Sequence, residues 1–145
     1  VPDLAAVAAH HYGVRNIHTY SGGTESTAFN PRAVAAMERA GFRITMTTDD
    51  DNPIYHVRYS DDAHPLTCFS KVYDHAPNPK KDFMAIMTCD HANEACPIVH
   101  GASRRIAITY EDPKVADGTP EEAAKYDERC RQIAREMLYT FSKLK

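Results

Sequence analysis

DFMAIMTCDHANEACPIVHG, residues 82–101, is the stretch of sequence that decides the fold. Its apolar run Phe83–Met87 is short and continuous, which is typical of a strand buried on both faces of a parallel sheet. Cys89 and Asp90 follow directly where this strand ends. Because ligands of open α/β sheets bind beyond the carboxyl ends of the strands, the sequence predicts a functional site at this point.

Length and composition indicate a single globular domain over residues 1–145. The chain is 43% hydrophobic and 26% charged, which is ordinary for a soluble protein with a buried core. The net charge of −3 and the lack of a long basic face argue against a nucleic-acid partner. No apolar run is long enough to cross a membrane, and four cysteines do not suggest a secreted disulfide scaffold. We therefore expect a cytoplasmic protein.

Two helices are predicted in the first third of the chain. The alanine-rich segment Leu4–Tyr12 is followed by Gly13, which can adopt the left-handed conformation that closes a helix. A second helix begins after Asn30, a capping residue, with Pro31 in its first turn, and it ends at Gly41. Each helix is thus defined by local signals at one or both of its ends.

A third helix is predicted at the end of the chain. Thr119 and Glu122 have the spacing of a capping box, and a proline lies between them. Cys68, in a β-rich run, and Cys130, on this helix, are expected to be buried core residues. The apolar stripe of the helix steps by three or four residues and comprises Tyr126, Cys130, Ile133, Met137, Phe141 and Leu144.

Further strands are predicted at Asn16–Tyr20, Phe42–Thr47 and Arg104–Tyr110. Two β-rich runs within Pro53–Tyr73 flank the polar segment SDDAHP, which is typical of a hairpin, and we interpret them as an antiparallel excursion from the sheet. The alternation of strands and helices predicts a three-layer α/β fold, with a mostly parallel sheet flanked by helices.

Polar side chains follow three of the predicted strands, in YSGGT (residues 20–24), MTCD (87–90) and YEDP (110–113). Parallel strands end at one edge of their sheet, so these side chains are expected on one rim. The side chains are those of Ser21, Cys89, Asp90 and Asp112.

The cysteines of the organising stretch leave three interpretations open. Cys89 and Cys96 are a redox pair if their sulfur atoms can approach to disulfide distance. Alternatively, they are two unreactive loop thiols. A third interpretation is a metal site, although strict zinc-knuckle spacing is absent. Its two thiols and two imidazoles would come from Cys89, His91, Cys96 and His100.

These motifs resemble the low-molecular-weight protein tyrosine phosphatases and the thioredoxin-coupled arsenate reductases, which share one fold. Residues 20–34, YSGGTESTAFNPRAV, are similar to the family's SAGT turn and following helix, and YEDP, 110–113, is similar to its acid-proline loop. Cys89 and Cys96 match the spacing of the reductases' second and third redox cysteines. The hairpin of residues 53–73 resembles an insertion in a bacterial subgroup. The resemblance covers nearly the whole chain.

The resemblance implies a phosphotyrosine phosphatase I-like fold and an enzyme that needs no cofactor. Its substrate would be a phosphate- or arsenate-type oxyanion or a phosphotyrosine, and thioredoxin would be the redox partner. Asp112 would be the general acid, and Cys89 and Cys96 would be the redox pair. Ser21 would orient the family's phosphate loop.

One motif of the family is missing from the sequence, namely a cysteine and an arginine separated by five residues after the first strand. The residues six positions after the four cysteines are Asp74, Ala95, Ala102 and Glu136. We therefore expect a chain that begins inside the first helix and lacks the first strand, the nucleophile and the anion cradle. Such a chain would be inactive as given. The alternatives are an inactive oxyanion-binding or interaction module and a small Cys/His metal-binding domain.

Overall fold

The computed structural model describes residues 1–88 and 98–144. The chain belongs to the α/β class, as predicted, and its described strands form two sheets. In chain order the elements are α1 (Pro2–His11), α2 (Pro31–Arg39), β1 (Arg43–Met46), β2 (Tyr55–Arg58), β3 (Leu66–Cys68), β4 (Phe83–Met87), β5 (Ala102–Ala107), a 3₁₀ helix (Pro113–Ala116) and α3 (Glu122–Ser142).

The first sheet is antiparallel and has the order β1-β2-β3. Arg43 pairs with Arg58 across β1 and β2, and Tyr55 pairs with Cys68 across β2 and β3. The two β-rich runs of residues 53–73 are therefore antiparallel neighbours, joined by residues 59–65. The extended segment predicted at 42–47 forms β1, at one edge of this sheet. That residues 53–73 are an insertion, as in a bacterial subgroup of the family that the sequence resembles, remains a prediction.

The second sheet pairs β4 and β5 in parallel, with Ile86 opposite Ile106. This confirms the predicted strand at Phe83–Met87. Its predicted burial on both faces is wrong, because Met84 is 58% exposed. Residues 103–107 of β5 are exposed as well. Three of the five described strands lie in the antiparallel sheet, so the described strands are not mostly parallel.

The predicted strand Asn16–Tyr20 is absent from both sheets. Asn16 has φ of 61°, which is a left-handed conformation that a strand cannot contain. The nearest pairing is an isolated parallel bridge between Gly23 and Val72. Alternating side chains are compatible with a strand, but a strand forms only where a second strand accepts its backbone hydrogen bonds.

The start of α2 is confirmed, because Asn30 Oδ1 accepts a hydrogen bond from Arg32 N at 2.9 Å. The capping box predicted for α3 differs from the structure. Glu122 is the first helical residue, and its carboxylate accepts a hydrogen bond from Gly118 N at 2.7 Å. Thr119 forms a turn before the helix, where its hydroxyl accepts from Glu121 N. The glutamate therefore reaches back one residue too far for a capping box.

Two apolar clusters hold the elements together. In the first, the alanine face of α1 packs against α3, where Met137 is only 1% exposed. The second lies between α2 and the antiparallel sheet and is made by Met37, Phe42, Val57 and Cys68. The predicted stripe of α3 extends too far, since Leu144 is 58% exposed. None of the helices in residues 1–88 and 98–144 combines the length and apolar character of a membrane span.

Candidate functional site

The parallel pair β4-β5 defines the edge at which the candidate site begins. Met87 pairs with Ala107, and Ile108 N donates a hydrogen bond to Met87 O at 3.0 Å. The carboxyl ends of β4 and β5 therefore lie side by side, and the segments that follow them leave from one edge. After Thr88 the chain enters residues 89–97, which lie outside the described part. The predicted site residues Cys89, Asp90 and Cys96 fall there.

The segment after β5, residues 110–117, is called the acid loop below. It is anchored to α3 at its start by Tyr110, which is 7% exposed. The phenol of Tyr110 donates a hydrogen bond of 2.6 Å to Glu136 Oε2. Burial, and then the neighbouring carboxylate, raise the pKa of Tyr110 above its usual value. The phenol therefore stays protonated and continues to donate across the neutral pH range.

Two further contacts hold the acid loop against the helices. Arg129 Nε donates to the backbone oxygen of Glu111 at 2.7 Å, and a second guanidinium nitrogen lies 3.3 Å from Glu111 Oε2. Tyr126 donates to Asp117 Oδ1 at 2.9 Å, and its oxygen accepts from Asn30 Nδ2 at 3.1 Å. The loop is thus attached to α3 near both ends and, through Asn30, to the start of α2.

Asp112 lies within this anchored loop, and its side chain is 55% exposed. Its Oδ1 caps the 3₁₀ helix by accepting a hydrogen bond from Lys114 N at 3.0 Å. Its Oδ2 lies 3.9 Å from Lys114 Nζ. One carboxylate oxygen therefore caps the 3₁₀ helix, and the other faces the ammonium group of Lys114.

The turn that contains Ser21 docks onto residues 71–78. Gly23 N donates to Lys71 O at 2.9 Å, and Tyr73 N donates to Gly23 O at 3.0 Å. A β-carbon on Gly22 would lie 2.4 Å from Cα of Tyr73, so this close approach requires glycine. Within the turn, Ser21 accepts one hydrogen bond at its hydroxyl and one at its carbonyl oxygen.

These two hydrogen bonds come from residues that sequence reasoning missed. Lys71 Nζ donates to Ser21 Oγ at 3.3 Å, and Asn78 Nδ2 donates to Ser21 O at 2.8 Å. Both residues are buried. The local signal for Lys71 was its place beside a β-rich run. Nothing in the sequence around Asn78 distinguishes it from an ordinary loop residue.

Among the predicted site residues, Ser21 and Asp112 lie in the described part of the chain. The described contacts of Ser21 run to Lys71 and Asn78, which precede β4 in the chain. Across residues 1–88 and 98–144, no hydrogen bond or ion pair joins Ser21 to Asp112. That Ser21, Asp112 and the cysteines of residues 89–96 share one rim therefore remains a prediction.

The other two cysteines are held within the fold. Cys68 is buried, as predicted, and its thiol donates a hydrogen bond of 3.1 Å to Asp3 Oδ1. Burial, and then the charge of Asp3, raise the pKa of Cys68 far above its usual value. Cys130 is half-buried, and burial also raises its pKa. Neither thiol has the character of a reactive nucleophile.

The hypothesis of a metal site depends on residues 89–97. Of its four suggested ligands, His100 alone belongs to the described part of the chain. Within that part, no group of three or more histidine, cysteine, aspartate or glutamate side chains has a geometry that could hold a metal ion. The Cys/His cluster accordingly stays a hypothesis from the sequence.

Comparison with known proteins shows sequence similarity to arsenate reductases. No family model matches the chain. It is 28% identical over 123 residues to an arsenate reductase of Halalkalibacterium halodurans, a match covering 85% of this chain and 73% of that protein. An arsenate reductase of Bacillus licheniformis is 28% identical over 127 residues, covering 86% and 74% of the two chains, respectively. One of Shouchella clausii is 28% identical over 121 residues, covering 83% and 71%. These similarities support an arsenate reductase family for the chain.

Proposed function

We propose that this chain acts in the reduction of arsenate, with an acid and a dithiol placed at one edge of its parallel sheet. The observation that supports this most directly is the hydrogen bond from Ile108 N to Met87 O. It places the stem of the acid loop beside the end of β4, and two residues further on β4 leads into Cys89. The similarity to three bacterial arsenate reductases also supports the proposal.

Asp112 is the general acid in this proposal. Reduction of arsenate removes one oxygen from arsenic, and that oxygen leaves more readily when a nearby acid protonates it. Asp112 suits this role because its loop is anchored on α3 while its side chain remains half-exposed. The proton would be carried on Oδ2, since Oδ1 caps the 3₁₀ helix.

Cys89 and Cys96 supply the electrons. Arsenic gains two electrons on going from arsenate to arsenite, two thiols lose them on forming a disulfide, and the released oxygen leaves as water. The family also uses a cysteine cradled by an arginine for the first attack, and no cysteine of this sequence has an arginine six positions later. The part that we assign to the 145-residue chain is therefore the relay. Cys89 and Cys96 lose two electrons to arsenic and form a disulfide, and thioredoxin then reduces that disulfide.

Ser21 contributes to oxyanion binding in this proposal. Its hydroxyl and carbonyl oxygen are oriented by Lys71 and Asn78, so its turn is a rigid support for a loop that binds the oxyanion. A phosphate monoester or a phosphotyrosine would use the same acid and the same turn. It would not require a redox pair, and the names of the similar proteins favour arsenate.

The relay can be tested with the chain as it stands. The protein is oxidised mildly, freed of oxidant, and mixed with thioredoxin, thioredoxin reductase and NADPH, and the loss of NADPH absorbance is recorded. We expect one NADPH to be consumed per chain, because one disulfide takes two electrons. The Cys89→Ser and Cys96→Ser variants should consume none, whereas the matched controls Cys68→Ser and Cys130→Ser should behave like the wild type. An oxidised wild-type chain that consumes no NADPH would contradict the proposal.

A further inference from the structure

Lys71 is a buried cation without a carboxylate partner among the described residues. The residue is 6% exposed, and no carboxylate of residues 1–88 or 98–144 lies within 4 Å of its ammonium nitrogen. Its described contacts are Ser21 Oγ at 3.3 Å and the ring of Phe69, whose centroid is 4.7 Å away. An ammonium group has three N–H donors, so it can donate two more hydrogen bonds. Burying such a charge is costly unless it is paired.

The nearby acid does not serve as that partner. Asp3 acts on Lys71 electrostatically, but its Oδ1 accepts the hydrogen bond from the Cys68 thiol and it forms no ion pair with the lysine. Burial lowers the pKa of Lys71 from its usual value. A negatively charged ligand beside Nζ would reverse this effect by stabilising the ammonium form.

Asn78 supplies a second and independent observation. The residue is 8% exposed, and its two amide hydrogens go to Ser21 O at 2.8 Å and Tyr73 O at 3.1 Å. These two carbonyl oxygens fix which end of the amide is nitrogen, because the reversed orientation would place oxygen against oxygen. Asn78 Oδ1 is then a buried acceptor, and it has no hydrogen-bond partner among the described residues. Buried acceptors of this kind are rare and call for an explanation.

The two groups meet at one residue. Lys71 contacts the hydroxyl of Ser21, and Asn78 contacts its carbonyl oxygen. The lysine requires a negatively charged acceptor, and the asparagine oxygen requires a donor. A tetrahedral oxyanion that carries one proton satisfies both. Hydrogen arsenate and hydrogen phosphate are such ions at neutral pH, whereas sulfate carries no proton.

We propose that Lys71, Ser21 and Asn78 form a binding subsite for a monoprotonated tetrahedral oxyanion. The ammonium of Lys71 binds a charged oxygen, and Asn78 Oδ1 accepts the hydrogen bond from the protonated oxygen. The proposal deepens the arsenate function and rests on it for the identity of the natural oxyanion. The binding itself requires neither Asp112 nor any cysteine.

The test measures binding of inorganic arsenate, phosphate and sulfate by calorimetric titration at one ionic strength. We expect arsenate and phosphate to bind with similar affinity. Sulfate should bind more weakly by a factor of about ten or more, because it cannot donate a hydrogen bond to Asn78. Lys71→Met should weaken phosphate binding by about tenfold or more, since a charge-assisted hydrogen bond is lost. Lys81→Met is the matched control. Because Lys81 is exposed, this variant should bind phosphate with the affinity of the wild type.

A second measurement needs no variant. In wild-type protein labelled with ¹⁵N, phosphate should shift the side-chain amide signal of Asn78 and the backbone signal of Ser21, while an equal concentration of sulfate should not. Equal binding of sulfate and phosphate, or undiminished binding by folded Lys71→Met, would overturn the subsite. If the oxidised chain does not react with thioredoxin but still binds phosphate, the redox function is rejected and the subsite is retained.

Discussion

Tyr110 donates a 2.6 Å hydrogen bond to Glu136, and this contact joins the first residue of the acid loop to the middle of α3. The tyrosine is buried and the glutamate is half-buried, so water competes only weakly for either group. Two residues further along the loop, Asp112 is half-exposed. The contact therefore connects the half-exposed carboxylate of Asp112 to a support that belongs to the core.

Replacing Tyr110 with phenylalanine should loosen this support. We expect Tyr110→Phe to lower the free energy of unfolding by about 1 to 2 kcal/mol, because a hydrogen bond to a carboxylate is lost. The carboxylate of Glu136 would keep only the long 3.5 Å contact from Gln132 Nε2. Urea unfolding measures the loss. The control is Tyr139→Phe, since Tyr139 is 66% exposed and should tolerate the change. Equal stability of the two variants would show that the contact does not hold the loop.

The same tyrosine predicts a dependence of stability on pH. Its pKa is raised in the folded protein, so above about pH 10 the unfolded chain loses the phenolic proton before the folded chain does. The stabilisation is complete below that pH and is lost as the pH rises. The wild type should therefore lose stability more steeply than Tyr110→Phe in this range.

Local sequence signals predicted the elements that depend on neighbouring residues. Asn30 and Pro31 start α2 where expected, because a cap is a contact between residues two positions apart. Phe83–Met87 forms a strand for a similar reason, since a continuous apolar run is itself the signal. Asn16–Tyr20 fails because a strand also requires a partner, and alternation contains no information about that partner.

The site depends on contacts that no local pattern contains. Lys71 and Ser21 are 50 positions apart, and Asn78 and Ser21 are 57 apart, so their meeting is a property of the packed chain. Asp112 was predicted from its place after a strand and before proline. Its anchors, Arg129 and Glu136, were not predicted, because charged residues on a helix normally face solvent and no local signal separates these two from the rest.

Packing of α1 against α3 should depend on Met137. This side chain is 1% exposed among the alanines of α1, so truncation would leave a cavity that the small neighbours cannot fill. We expect Met137→Ala to lower the free energy of unfolding by about 2 to 5 kcal/mol. Leu138→Ala, next along the helix and 37% exposed, should cost less than about 1 kcal/mol in the same denaturant titration. Similar losses for both variants would contradict the assigned core.

The four cysteines should differ in reactivity. Burial raises the pKa of Cys68 and of Cys130, so few thiolates form at either residue near pH 8, and reagents reach them slowly. We predict that Cys89 and Cys96 react first and that mild oxidation joins them in a disulfide. Mass spectrometry after alkylation and proteolysis identifies the linked peptides, and denatured protein serves as the reference for full labelling. Preferential labelling of Cys68 or Cys130 would show that the resemblance to the reductases fails at residues 89–96.

The 145-residue chain should not hydrolyse a phosphate monoester. Hydrolysis in the family passes through a covalent intermediate on a cysteine that an arginine accompanies six positions later, and no cysteine of this sequence has that neighbour. The acid at Asp112 cannot replace the nucleophile, because protonating the leaving oxygen assists bond breaking only when another group attacks phosphorus. Highly purified chain incubated with an aryl phosphate should therefore release phenol at the rate of buffer alone, and Asp112→Asn should show the same rate. Hydrolysis by the wild type that disappears in Asp112→Asn, but persists in the neighbouring control Glu111→Gln, would require a nucleophile other than these four cysteines.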